Sequence, residues 1–133
     1  METDATKAFS MIMKTLENVS GMKGEVHGNK WHSMRLLHSE DGMGVTITDS
    51  ILEECFEMTL GQKNHLEACY SLEGEGTADE LDNCTVHKIQ AGTLYATNNH
   101  DRHRIHAKMR MRVICNFVPL LTRTETHNSD GSL

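Results

Sequence analysis

From Trp31 onward the chain alternates. In WHSMRLLH, Trp31, Ser33, Arg35 and Leu37 share one face and His32, Met34, Leu36 and His38 the other, the period of two that a strand imposes. After the turn Glu40-Asp41-Gly42, GVTITDSI is alternating and β-branched and reads as the partner strand, with Val45, Ile47 and Ile51 inward. Phe56 to Leu60 continues the sheet. The turn Gly61-Gln62-Lys63-Asn64 leads into LEACYSL, which sets Leu66, Ala68 and Tyr70 opposite Glu67, Cys69 and Ser71. Gly74-Glu75-Gly76 and Asp82-Asn83 bracket a polar excursion. CTVHKI, LYATN, HRIHA and RVICNFV follow as four more strands, and Pro119 ends the last. The stretch from Gly61 to His106 reads as two facing hairpins.

Helical periodicity is confined to the start. Phe9, Ile12, Met13 and Leu16 are spaced as one helical face over Ala5 to Val19, with an edge strand over Met11 to Thr15 as the alternative. Ser20 to Lys30, with Gly21, Gly24 and Gly28, is a surface connection. Many short strands separated by turn residues predict an all-β barrel or sandwich whose mouth offers a site.

Composition narrows the choice. A chain of 133 residues makes one domain with a modest core. A net charge of −6 without clustered Lys and Arg argues against nucleic acid or an anionic membrane as partner. The apolar runs are too short to span a bilayer and the N-terminus lacks a signal pattern, so the expectation is a soluble, intracellular protein. Cys55, Cys69, Cys84 and Cys115 stand singly, without the CxxC spacing of a structural zinc site, and read as reduced thiols, mostly small core residues.

Cupin barrels carry a Gly, HxH and a Glu followed six residues later by Gly, then PxG, a metal-binding His and an Asn. Here Glu67 and Gly74 flank ACYSLE, and Gly92, Tyr95 and Asn99 match the second signature, with Gln90 for Pro and Tyr95 for His. Gly61 and Lys63 stand at the HxH positions. The chain resembles a cupin that has kept its Glu and rebuilt the rest. GNKWHSMRLL, KNHLEACYSLEGEG, AGTLYATNNHDRHRI, MRMRVICNF and PLLTRTETH together resemble the ectoine synthase family, over roughly Met13 to Gly131.

That resemblance implies a small jelly-roll cupin barrel over residues 13–133, with a C-terminal tail over its mouth and an N-terminal extension at residues 1–12. It implies a cytoplasmic, homodimeric lyase that closes N-γ-acetyl-L-2,4-diaminobutyrate into ectoine with loss of water, using Fe(II). Glu67, Tyr95 and His103 would be the iron ligands; His100 and His106 compete with His103, spacing from Tyr95 favours His103, and His106 is the fallback. Trp31, Ser33, Arg35, Thr48, Ser50, Cys115 and Phe117 would line the substrate pocket. Thr48 stands where the family more often has a larger polar residue, and Ser50 where it has Thr. Glu125, His127 and Tyr95 would be the catalytic set.

The residues suit that chemistry. A carboxylate, a phenolate and an imidazole form an O,O,N set fit for ferrous iron, with positions left open. Glu125 and His127, two apart, share a face of an extended segment and fit proton transfer. Arg35 fits a substrate carboxylate, and Trp31 and Phe117 would exclude water. Two other readings compete: a non-catalytic cupin that only binds a small molecule, and a related cyclase or ring-opening enzyme.

Overall fold

The computed structural model describes residues 11–21, 24–60, 66–97 and 102–118. Among these residues ten strands make two antiparallel sheets. The strands are β1 Glu25–Gly28, β2 Trp31–Leu37, β3 Thr46–Leu52, β4 Glu57–Leu60, β5 Leu66–Glu73, β6 Glu75–Glu80, β7 Thr85–Gln90, β8 Leu94–Ala96, β9 His103–Ala107 and β10 Met111–Val118. The larger sheet runs β1-β2-β3-β10-β5-β8 and the smaller β4-β9-β6-β7.

The core lies between the sheets and follows from the alternation. On β10, Met111, Val113, Cys115 and Phe117 point inward, and on β9 His103, Ile105 and Ala107 do. Fully burying a side chain such as Met111 or Val113 contributes about 1.5–3 kcal/mol. The polar stretch Glu75–Glu80 is a strand rather than an excursion. Its small residues Gly76 and Ala78 face the core, and a Cβ at Gly76 would meet His106 O at 2.2 Å. Phe56 to Leu60 contributes β4 to the smaller sheet instead of extending the larger one.

Two glycines turn the chain from one sheet to the other. Gly74, between β5 and β6, has φ 89°, and a Cβ there would sit 2.2 Å from Arg110 O. Gly92, between β7 and β8, has φ 92°, and its N–H donates to Ser71 O. Only glycine adopts these conformations without strain. The cupin-like glycine positions are therefore corners that bring β5 and β8 side by side.

Three further expectations need correction. On β3 the buried inner side chains are Thr46, Thr48 and Ser50, while Val45, Ile47 and Ile51 are only half-buried. The inner wall there is polar because it faces a site rather than the apolar core. Asp49, on the outer face, is held by Arg112 through two bonds of 3.0 and 2.6 Å. A register shift between Arg35 and Leu37 also removes Leu37 from the alternation begun at Trp31. At the start of the chain the helix is a single turn, α1 Leu16–Val19, capped by Thr15, which exchanges hydrogen bonds with Asn18. Met11 to Thr15 forms neither helix nor strand, and Met11 and Met13 are exposed. Phe9 and the turn Gly61 to Asn64 lie outside the described residues.

Candidate active site

The register of the larger sheet assembles the site. Tyr95, Cys69, Cys115, Thr48 and Arg35 are successive Cα partners across β8, β5, β10, β3 and β2. Partners in an antiparallel ladder present their side chains to the same face. The next row toward one end holds Glu67, Phe117 and Thr46. The next toward the other holds Ser71, Val113, Ser50 and Ser33, and beyond it come Met111, Leu52 and Trp31. Glu67, Arg35 and His103, at 7%, 5% and 5% exposure, are ionisable side chains placed inside rather than on the surface where such residues usually lie.

His103 comes from the other sheet, where it is the Cα partner of Leu60 and Glu80. Its ring meets the ring of Tyr95 edge-on, the centroids 6.4 Å apart. His106, three residues on, is turned to the opposite face of β9, as the partner of Glu57 and Thr77. Tyr95 and His103 both line a cleft of about 460 Å³ that opens between β7 and β8, with Glu80, His87, Lys88 and Arg102 also on its walls.

Around Glu67 the polar atoms crowd together. The Cys69 thiol donates to Glu67 Oε2 at 3.4 Å and lies 2.9 Å from Cys115 Sγ. Burial pushes the Cys69 thiol well up, and Cys115 and Glu67 add to the effect. Burial likewise pushes the Tyr95 phenol well above its ordinary value, reinforced by Cys69, Glu67 and Cys115. Both are therefore neutral at physiological pH unless a cation enters.

Ser33, Thr48 and Ser50 form a hydroxyl cluster, with Ser33 and Ser50 2.6 Å apart and Thr48 and Ser50 3.1 Å apart. Buried Arg35 stands in the row beside Thr48. Trp31 packs against the core two rows from Arg35, its indole over Gly28, where a Cβ would approach to 2.1 Å. Glu67, Tyr95, His103, Arg35, Ser33, Thr48, Ser50, Cys115, Phe117 and Trp31 thus all belong to the interior or its cleft. Glu125, His127 and the rest of the tail lie outside the described residues.

Cys69 joins this set although its sequence reading was a core thiol. Its distance of two from Glu67 on one strand was the available signal. The cleft residues Glu80 and Arg102 gave no comparable signal, since isolated charges on a strand are ordinarily solvated.

Two antiparallel sheets closed over such a pocket define a cupin barrel, and the solved RmlC-like cupin from Shewanella frigidimarina shares the fold, with TM-score 0.61 over 71% of this chain and 81% of that one at 17% identity. The ectoine synthase from P. lautus superposes with TM-score 0.84 over 91% of this chain and 87% of that one, at 36% identity. A curated L-ectoine synthase from Desulfosudis oleivorans is 46% identical over 92% of this chain and 95% of its own length. The family model for ectoine synthase matches residues 11–133. The chain belongs to the ectoine synthase family. Its membership makes it a lyase of ectoine biosynthesis.

Proposed function

We propose that this protein closes N-γ-acetyl-L-2,4-diaminobutyrate into the cyclic amidine ectoine with loss of water, with Glu67, Tyr95 and His103 holding a ferrous ion. The reading is supported by the meeting of the Tyr95 and His103 rings across the two sheets and by buried Glu67 as a charged neighbour of Tyr95, in a chain of this family. The donors fit the ion: two oxygens and one nitrogen suit ferrous iron, and a cation between the carboxylate and the phenol would favour the anionic form of both. When bound, the ion supplies Lewis acidity to the acetamide carbonyl.

The chain's own residues do the rest. Arg35 grips the substrate carboxylate, and the hydroxyls of Ser33, Thr48 and Ser50 orient the polar backbone of the substrate. Holding the α-amine against the acetamide carbon in a folded geometry converts the closure into a near-attack arrangement. The amine forms the new C–N bond and gives up a proton, and one of the two nitrogens gives up a second proton as the C=N bond forms. The carbonyl oxygen leaves as water after taking two protons, and a C=N bond remains. Glu125 and His127 carry this proton traffic. Phe117, beside Glu67, and Trp31, packed against the core, keep water out of a reaction that must expel it.

The working form is a cytoplasmic homodimer. Residues 13–133 make the barrel with its tail over the mouth, and residues 1–12 are an extension outside the reaction. The family model begins at residue 11, close to that border. Among the described residues no helix is long and apolar enough to cross a membrane. Incubation of the purified protein with the acetylated diamine, followed by chromatography, tests the assignment. Ectoine is the expected product, and unchanged substrate with folded, iron-loaded protein would contradict it.

A further inference from the structure

The interior holds a second set of metal donors. Glu67, Cys69 and Cys115 are all buried, and one donor atom from each lies within 4.8 Å of the others. Two thiols and a carboxylate differ in kind from an O,O,N set: thiolates prefer soft cations, and Zn²⁺ takes such ligands tetrahedrally. With metal–sulfur bonds of about 2.3 Å, a tetrahedral site needs its sulfurs about 3.8 Å apart. The observed sulfur pair is closer, at 2.9 Å, with Glu67 Oε2 at 3.4 Å from Cys69. Rotating the two cysteine side chains would open it with the backbones left in register, since Cys69 and Cys115 are direct cross-strand partners.

We propose that Glu67, Cys69 and Cys115 form a thiophilic cation site inside the barrel, taking a soft divalent ion such as Zn²⁺ or Cd²⁺. On binding, the two thiols release their protons to solvent, leaving two thiolates and one carboxylate around the ion. The hydroxyl of Tyr95, which neighbours Cys69, would offer a fourth donor. Glu67 belongs to both donor sets, so a soft cation excludes iron from the O,O,N centre. That exclusion rests on the iron reading above; the thiophilic site itself does not.

The other two cysteines, Cys55 and Cys84, are exposed and supply the background to remove. Metal-stripped protein carrying Cys55→Ser and Cys84→Ser, kept reduced with a phosphine, is titrated with Cd²⁺ while ultraviolet sulfur-to-cadmium charge-transfer absorption is followed. The expected result is one equivalent bound with the intensity of two thiolates. Adding Cys69→Ser or Cys115→Ser should halve the band and weaken Cd²⁺ at least tenfold. His103→Ala should leave the band intact, which separates this site from the iron centre whatever that variant does to iron. No band, or a full band in the Cys69→Ser/Cys115→Ser double variant, would overturn the proposal. Should the serine variants fail to fold, cadmium-113 resonance of the chain with Cys69 and Cys115 intact decides: a two-sulfur chemical shift supports the site, and an oxygen–nitrogen shift refutes it.

Discussion

Tyr95 and His103 meet edge-on at 65°, their ring centroids 6.4 Å apart, although one stands on the larger sheet and the other on the smaller. The candidate metal centre therefore lies at the seam between the sheets. Neither sheet holds it alone, and its geometry depends on the corners at Gly74 and Gly92 that set the sheets against each other.

The ligand reading makes separable claims about individual residues. Glu67→Ala and His103→Ala should lose iron and turnover together, while Glu125→Ala keeps iron and loses about 100-fold or more in turnover. Metal content and ectoine formation, measured on the same samples, check this. Tyr95→Phe gives an optical test, because a phenolate bound to ferric iron absorbs in the visible. The parent protein should colour on oxidation and the variant should not. Full iron occupancy in both Glu67→Ala and His103→Ala would remove these residues from the centre.

Gly28 is predicted to control Trp31. A methyl group there would come within 2.1 Å of the indole, and Trp31 is the chain's single tryptophan, so its fluorescence reports the displacement directly. Gly28→Ala should shift the emission maximum to longer wavelength and lower turnover several-fold, since a displaced ring admits water. Unchanged emission would mean that the ring has room elsewhere.

The Asp49–Arg112 fork ties β3 to β10. Asp49 is buried and Arg112 only partly so. Asp49→Asn should destabilise the protein by roughly 1–3 kcal/mol, the range for a charged hydrogen-bonded pair with one buried partner. Glu73, 3.7 Å from Arg112 and exposed, is the contrast. Glu73→Gln should change stability by less than about 1 kcal/mol. Urea denaturation of both variants checks the difference.

Asp41 gives the pH dependence of stability. Burial pushes its carboxyl up, but the Lys14 ammonium at 2.7 Å and the His38 amide outweigh burial and hold it below its ordinary value. A carboxyl depressed in the folded state contributes stability above the ordinary carboxylate range and loses it as pH falls through the folded value. Asp41→Asn should therefore cost about 0.5–1 kcal/mol at neutral pH. In strong acid, below both values, denaturation midpoints of parent and variant should converge.

The strands were legible because alternation is local. Glu67, Cys69 and Ser71 on one face, and Met111 to Phe117 alternating on β10, follow from a period of two that needs no knowledge of the fold. Which face is inside is not local. On β3, hydrophobicity favours Val45, Ile47 and Ile51, yet Thr46, Thr48 and Ser50 are the buried residues, because the pocket they wall is polar. The polar strand Glu75–Glu80 was obscured for a related reason: glycine and alanine supply its inward face, and they carry little apolar signal. The grouping of Glu67, Tyr95 and His103 rested on family resemblance and motif spacing, since strands of two sheets must close before such residues can share a site. His103 and His106 face opposite ways in the structure, as residues three apart on a strand must.

The central claim is that this barrel makes ectoine with an iron ion held at the seam. Its most direct test strips the protein of metal, reloads it with Fe(II) under exclusion of oxygen, and measures ectoine from N-γ-acetyl-L-2,4-diaminobutyrate before and after. The account predicts little product from the stripped protein and turnover restored in proportion to bound iron. Equal ectoine formation in both states, or none in a folded protein with iron bound, would contradict it.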